Sequence, residues 1–158
     1  MLTESMEDYL EMIYRIVTKQ GYIRAVDLAE ALELQASSIT KMVQKLDEAG
    51  FIRYEKYRNI SLTPLGSKYG EFLVWRDKIL KEFLELLSPQ TNIEEQVEGI
   101  EHYITPKTMD LIYSLIAFFQ KNPQALKELK SLQEESVVPH RKTLQRLRAW
   151  KYKHSSDL

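Results

Sequence analysis

The side chains best able to do chemistry in this 158-residue chain are oxygen and imidazole donors: Glu98, Glu101 and His102 in one segment, Asp8 and Glu11 near the amino terminus. On a helix of 3.6 residues per turn, Glu98, Glu101 and His102 fall within a sector of roughly 100°, and Ile93, Val97, Ile100 and Ile104 gather on the other side. The amino-terminal segment divides in the same way. Met6, Tyr9, Leu10, Ile13 and Val17 form an apolar stripe, while Asp8 and Glu11, three apart, project away from it. If the two polar faces meet, the chain holds a divalent cation between its two halves.

Those faces need elements to carry them. The pattern predicts a helix from Ser5, as N-cap, to about Lys19, ended by Gly21. A short helix follows over about Ala25 to Leu32, then another from around Ser37 with the stripe Ile39, Met42, Val43 and Leu46, closed by Gly50. The period then changes to two. Ile52, Tyr54 and Lys56, and after them Ile60 and Leu62, alternate with polar residues as in a half-exposed strand pair, with Tyr57-Arg58-Asn59 at the hairpin tip. Helix, short helix, turn, helix, hairpin is the order of a winged helix-turn-helix.

Pro64 opens a long helix to about Leu87, and a helix from about Asn92 to Tyr103 carries the donor face. Pro106 opens another to about Lys121, with Met109, Leu111, Ile112, Leu115, Ile116, Phe118 and Phe119 around much of its circumference. Such a helix needs burial on more than one side, and a second copy of the chain would supply it. A further helix from Pro123 to Glu135 completes a mainly α chain. We divide it into a winged helix-turn-helix with a small β-hairpin wing over 1–63, an all-helical metal-binding and dimerization domain over 64–135, and a basic extension over 136–158.

In a helix-turn-helix the second helix lies in the major groove with its first residues against base edges. Here its exposed set is Ser37, Ser38, Thr40, Lys41, Gln44 and Lys45. Hydroxyls reach bases or phosphates, Gln44 suits adenine, and the lysines suit phosphate oxygens. Arg58 at the wing tip is placed for a minor groove, with Lys56 and Arg53 on the flanking backbone.

Composition narrows the class. With 44% hydrophobic residues the chain reads as one substantial core or two small ones, and its longest apolar cluster, Met109 to Phe119, falls short of a membrane span. The amino terminus lacks the basic and apolar regions of a secretory signal, and no cysteine is present, so disulfides and thiolate metal sites are excluded and the cytoplasm is expected. Charge is uneven: nine basic against ten acidic residues over 1–70, seven against twelve over 71–135, and six against one over 136–158. An acidic middle suits cations. A basic tail, whose Leu144, Leu147 and Trp150 are three apart, suits phosphate.

Several blocks together resemble the metal-dependent repressors of the diphtheria toxin repressor family, most closely its manganese transport regulator branch. They are Ser5-Met-Glu-Asp8-Tyr-Leu-Glu11-Met-Ile-Tyr14, Ser37-Ser-Ile-Thr-Lys-Met-Val-Gln-Lys-Leu46, Tyr54-Glu-Lys-Tyr-Arg58 and Val97-Glu-Gly-Ile-Glu-His102, spread over nearly all of residues 1 to 135. The resemblance implies a homodimer that binds a pseudo-palindromic double-stranded DNA operator when manganese is present and controls metal-uptake genes. It also implies a paired metal site between the domains, with two ions per subunit, to which Asp8, Glu11, Glu98, Glu101 and His102 correspond. Asp77 departs from it, because similar proteins usually offer a histidine there; we keep Asp77 in the expected ligand set. Carboxylates with a single imidazole suit Mn²⁺ and accept Fe²⁺ or other divalent cations. Carboxylates at positions 8 and 98 point to the manganese branch rather than the iron branch.

The switch expected from these residues is electrostatic: without metal, Asp8 and Glu11 repel Glu98 and Glu101, and divalent ions reverse the sign. Two other readings compete with it. One is a winged-helix regulator of an organic ligand, although no organic substrate is expected. The other is a di-metal carboxylate enzyme, whose bundle form needs two Glu-x-x-His motifs, whereas His140 and His154 lie in the basic tail. The chain has no Ser-His-Asp set, Gly-rich phosphate loop or His-Glu-x-x-His motif, and is not expected to be an enzyme.

Overall fold

Thr3, not Ser5, starts the first helix. Its backbone is extended (φ −83°, ψ 159°) and its hydroxyl accepts from the Met6 N–H at 3.3 Å, so α1 covers Glu4–Gln20 and Ser5 lies in its first turn. Gly21 ends α1 in the left-handed region at φ 86°, a conformation that a side chain would strain. The structure, a computed structural model, describes residues 2–32, 34–54, 59–87 and 92–135. After α1 come β1 (Ile23–Arg24), α2 (Ala25–Ala31), α3 (Ala36–Glu48), β2 (Ile52–Tyr54) and β3 (Asn59–Leu62).

The three strands form an antiparallel sheet in the order β1-β3-β2, with Ile23 opposite Ile60 and Ile52 opposite Leu62. Two findings here differ from the sequence reading. β1 was not expected, because two residues are too short to show a period; and Asn59, expected at the hairpin tip, is already in β3 opposite Arg24. Lys56, Tyr57 and Arg58 lie outside the described residues. One face of the sheet closes a core built from every element so far: Tyr9, Leu10 and Ile13 of α1, Leu28 of α2, Ile39, Val43 and Leu46 of α3, with Ile23, Ile52 and Ile60. The stripe that makes α3 amphipathic therefore fixes its outer face.

Leu73 of α4 (Pro64–Leu87) joins this core, so the long helix starts inside the amino-terminal module. Two glycines allow its close approach. A Cβ at Gly66 would stand 1.7 Å from the Phe51 carbonyl oxygen, and one at Gly70 would stand 2.6 Å from the Tyr14 Cβ. Further along, Ile79 and Leu80 of α4 begin a second core with Ile93 and Val97 of α5 (Ile93–Ile100) and Met109 and Ile116 of α6 (Pro106–Lys121). Met1–Ile116 make one compact unit. The second unit starts at Ala117 and includes α7 (Pro123–Glu135). No helix among the described residues is long and apolar enough to cross a membrane.

The helix expected from Asn92 to Tyr103 is shorter than its period suggested. α5 stops at Ile100, and Glu101–Tyr103 form a 3-10 turn. Tightening to three residues per turn rotates the following side chains away from the α-helical positions. Glu101 turns inward and is 8% exposed, whereas Ile100, expected on the apolar side, is 41% exposed. On α6, Leu111 and Leu115, one helical turn apart, are exposed together with Tyr113. The predicted amphipathic tail over 137–158 lies outside the described residues.

Candidate metal centre

Three of the six expected donors converge. Single ligand atoms of Asp8, Glu101 and His102 all lie within 4.8 Å of one another. Asp8 comes from the second turn of α1 and Glu101 and His102 from the 3-10 turn, so the cluster joins segments some ninety residues apart in sequence. His102 Nε2 is 3.2 Å from Asp8 Oδ1 and 3.8 Å from Glu101 Oε1. Its other ring nitrogen, Nδ1, is 3.0 Å from Glu7 Oε2. A carboxylate only accepts, which assigns the Nδ1 proton to the bond with Glu7 and turns Nε2 toward Asp8. In the neutral ring the Nε2 lone pair then faces an oxygen, an arrangement satisfied by a shared cation or by a second ring proton.

Glu7 and Arg76 complete this half of the site, and neither was singled out from sequence. The Arg76 guanidinium, 4% exposed, donates from Nη1 to Glu7 Oε2 at 2.8 Å. The Tyr69 hydroxyl donates to Glu7 Oε1 at 3.3 Å. Arg76 Nη2 approaches Glu101 Oε2 only to 3.7 Å, an ion-pair distance too long for a hydrogen bond. Both atoms are buried and lack a hydrogen-bonding partner. A signal for Arg76 did exist: it falls on the Leu73–Leu80 stripe of α4, and a charge on a core stripe implies a buried partner.

The protonation of the carboxylates follows from this burial. Glu101 is pushed up to about 7 by burial; Arg76 opposes the shift, and Glu11 and Asp77 add to it. Asp8 is raised as well, first by burial and against the pull of His102, with Glu11, Glu98 and Glu7 adding repulsion. The convergence of ligand atoms from Glu101, whose Oε1 approaches the His102 ring, from the oriented imidazole and from Asp8 fits a divalent cation. Two carboxylates and one imidazole without sulfur are a donor set for Mn²⁺, Fe²⁺ and their neighbours.

The other expected donors are arranged differently. Glu11 and Asp77 do face one another's neighbourhood, but Arg15 lies between them. Its Nε and Nη2 donate to Glu11 Oε1 at 2.8 and 2.6 Å, and Nη2 also donates to Asp77 Oδ2 at 2.8 Å. Lys81 Nζ is 2.9 Å from the second Asp77 oxygen. Glu98 stays exposed on α5 and is felt at Asp8 through its charge. The acidic layer is thus not left to bare repulsion: Arg15 and Arg76 are interleaved with it, because buried carboxylates need counter-charge. Glu11–Arg15 is an i,i+4 pair visible in the sequence, whereas the reach of Arg15 to Asp77, 62 residues away, has no local signal.

On α3, Ser37, Ser38, Lys41, Gln44 and Lys45 are exposed on the face opposite the core. Thr40 is half-buried, and its hydroxyl donates to the Ala36 carbonyl at 2.9 Å. Its polar group is therefore already engaged within the helix. Arg53 on β2 is exposed; Lys56 and Arg58 lie outside the described residues.

Comparison with known proteins agrees with this architecture. Residues 1–60 match the family described as "Iron dependent repressor, N-terminal DNA binding domain", and residues 63–130 match "Iron dependent repressor, metal binding and dimerisation domain". The chain is 44% identical over 140 residues to the HTH-type transcriptional regulator MntR of Shouchella clausii (strain KSM-K16), covering 88% of this chain and 98% of that protein. It is 44% identical over 137 residues to the regulator of the same name from Bacillus subtilis (strain 168), covering 86% of this chain and 96% of that protein. Among solved structures, T. acidophilum IdeR superposes with a TM-score of 0.62 at 21% identity, over 74% of this chain and 55% of that one. The manganese regulator SloR does so with a TM-score of 0.63 at 23% identity, over 72% and 54%. The chain spans about half the length of those two solved chains, and the likeness to them shows the fold. With both family domains in order along one chain, and relatives this similar over almost their whole length, the protein belongs to the iron-dependent repressor family and is a transcriptional regulator, not an enzyme.

Proposed function

We propose that this chain is a manganese-responsive repressor that binds a pseudo-palindromic operator as a homodimer when a divalent cation is held by Asp8, Glu101 and His102, and that it controls metal-uptake genes in the cytoplasm. The observation that carries the reading is the convergence of α1 and the 3-10 turn on one cluster of ligand atoms. Mn²⁺ is favoured by the oxygen-rich donor set and by the names of the relatives, with Fe²⁺ as the competing ion. Bound there, the ion supplies positive charge shared between two elements whose carboxylates otherwise oppose each other.

The chain's own residues do the rest. Glu7 holds the His102 ring by Nδ1, the outer-shell carboxylate that metal-ligating histidines commonly use. Arg76 in turn holds Glu7. Glu98, exposed on α5, adds negative potential at Asp8 and is a candidate to complete a coordination shell. Asp8 belongs to α1, which shares a core with α3, and the 3-10 turn leads into α6, whose exposed Leu111, Tyr113 and Leu115 serve as part of the dimer face. Fixing α1 against the turn narrows the range of separations between the two copies of α3. Half-sites on one DNA face lie about 34 to 36 Å apart or a multiple of that. Ser37, Ser38 and Gln44 would face base edges, with Thr40, whose hydroxyl proton is held by the Ala36 carbonyl, able only to accept; Lys41, Lys45, Lys56 and Arg58 would take phosphate or the minor groove.

The test starts from DNA selected out of a random library by the Mn²⁺-loaded protein. Affinity for the selected site should rise about 5- to 150-fold when Mn²⁺ replaces chelator, the usual range of coupling between two sites. Equal affinities in the two conditions would remove the metal switch.

A further inference from the structure

Arg15 lies between Glu11 and Asp77, two of the six donors expected from the sequence. Its guanidinium spans Glu11 and Asp77 with bonds of 2.6 to 2.8 Å, and Lys81 lies 2.9 Å from the other Asp77 oxygen. We infer that Arg15 is a tethered counter-cation that takes the place of a second divalent ion, so that each subunit loads one ion at Asp8, Glu101 and His102 and leaves the Glu11–Asp77 pair closed. The inference rests on the metal-responsive reading above and sharpens it by setting the stoichiometry and by giving Asp77 a role.

Three observations carry it. Two of the donors expected at a second position already hold a cation: Arg15 Nε and Nη2 both donate to Glu11 Oε1, and Nη2 also bridges to Asp77 Oδ2. Charge differs as well. Arg15 and Lys81 are set directly against Glu11 and Asp77, with Lys78, Glu82 and Glu85 along the same groove, whereas at the first position ligand atoms of Asp8, Glu101 and His102 face one another within 4.8 Å. Finally, Arg15 is bound by geometry, not by confinement. Its side chain is 39% exposed and lines an open groove of about 510 Å³ with Val74, Asp77, Lys78 and Lys81. A guanidinium is always charged at physiological pH, so the occupancy of this position does not depend on metal supply.

The experiment measures Mn²⁺ uptake by the full chain, after removal of metal by chelation, using titration calorimetry and equilibrium dialysis with elemental analysis. Wild type is compared with Arg15→Met, which keeps an aliphatic stem without charge, and Arg15→Lys, which keeps the charge. Wild type and Arg15→Lys should saturate at one ion per subunit. Arg15→Met should take a second ion at least about tenfold more tightly than any second step in wild type, equivalent to about 1.4 kcal/mol. Its Mn²⁺ electron paramagnetic resonance spectrum should lose the resolved hyperfine pattern of an isolated ion and broaden as two ions couple. Two ions of similar affinity in wild type, or identical stoichiometry in wild type and Arg15→Met, would overturn the inference while leaving the metal switch intact. Absence of uptake by all three proteins would overturn both.

Discussion

Two arginines answer the same acidic layer from opposite situations. Arg76 is 4% exposed, pairs with Glu7 at 2.8 Å and stops 3.7 Å short of Glu101. Arg15 is 39% exposed and hydrogen-bonds to both of its acidic partners, Glu11 and Asp77. A buried guanidinium with unsatisfied donors beside a buried carboxylate leaves both charges only partly compensated. An exposed guanidinium bonded to both of its acidic partners leaves less uncompensated. The difference lies in solvent: water screens the Arg15 cluster and permits rearrangement, while at Arg76 every missing bond is felt in full.

The sharpest way to break the comparison is to remove the Arg76 partner. Glu7→Ala should cost about 3–5 kcal/mol of stability, because it strands a buried charge, and it should also release the His102 ring. Chemical denaturation would read the first effect and Mn²⁺ affinity the second. A loss below about 1 kcal/mol would place the two arginines in the same class.

Next in size is the response to pH. Because the folded-state pKa of Glu101 is raised from 4.5 to about 7, the fold favours the protonated acid. Its contribution to stability is greatest below the unfolded value and declines as pH rises through 4.5 to about 7, by as much as about 3 kcal/mol. Melting of chelator-treated protein should follow that slope, and Glu101→Gln should flatten it while abolishing the metal response of DNA binding. A slope that survives Glu101→Gln would assign the effect to other groups. Mn²⁺ affinity should run the opposite way, rising about tenfold per pH unit toward 7 as the competing proton leaves, then levelling.

The smallest effect belongs to the exposed half. Lys81→Ala removes a partly exposed i,i+4 pair and should change stability by no more than about 1 kcal/mol, less in high salt. A larger, salt-insensitive loss would mean that the Arg15 cluster is as tightly coupled as the Arg76 one.

Much of this was legible in the sequence where the signal is local. The stripes Leu10–Ile13 and Ile39–Val43–Leu46, the Gly21 stop, the Pro64 start and the period change at Ile52 placed the winged module and α4. Asp8, Glu101 and His102 were named from residue type and spacing, and they are the donors that the structure brings together. What the sequence could not carry was rotation and counter-charge. One switch from 3.6 to three residues per turn after Ile100 separates Glu101 from Glu98, and no periodicity reports it. Arg15 and Arg76 become partners of Asp77 and Glu7 only through contacts 62 and 69 residues apart. Thr3 outcompeted Ser5 as the cap because its extended backbone aims the hydroxyl at the Met6 N–H.

The glycines at 66 and 70 have a consequence for how such a regulator can move. Pressed against the Phe51 carbonyl and the Tyr14 ring with no space for a methyl group, they weld α4 to α1 and to the start of the wing as a single girder. Slack between those parts is not available for signalling. On our proposal, the joint that ligand occupancy tunes is instead the seat of the 3-10 turn on that girder, where Asp8, Glu101 and His102 meet to share one guest.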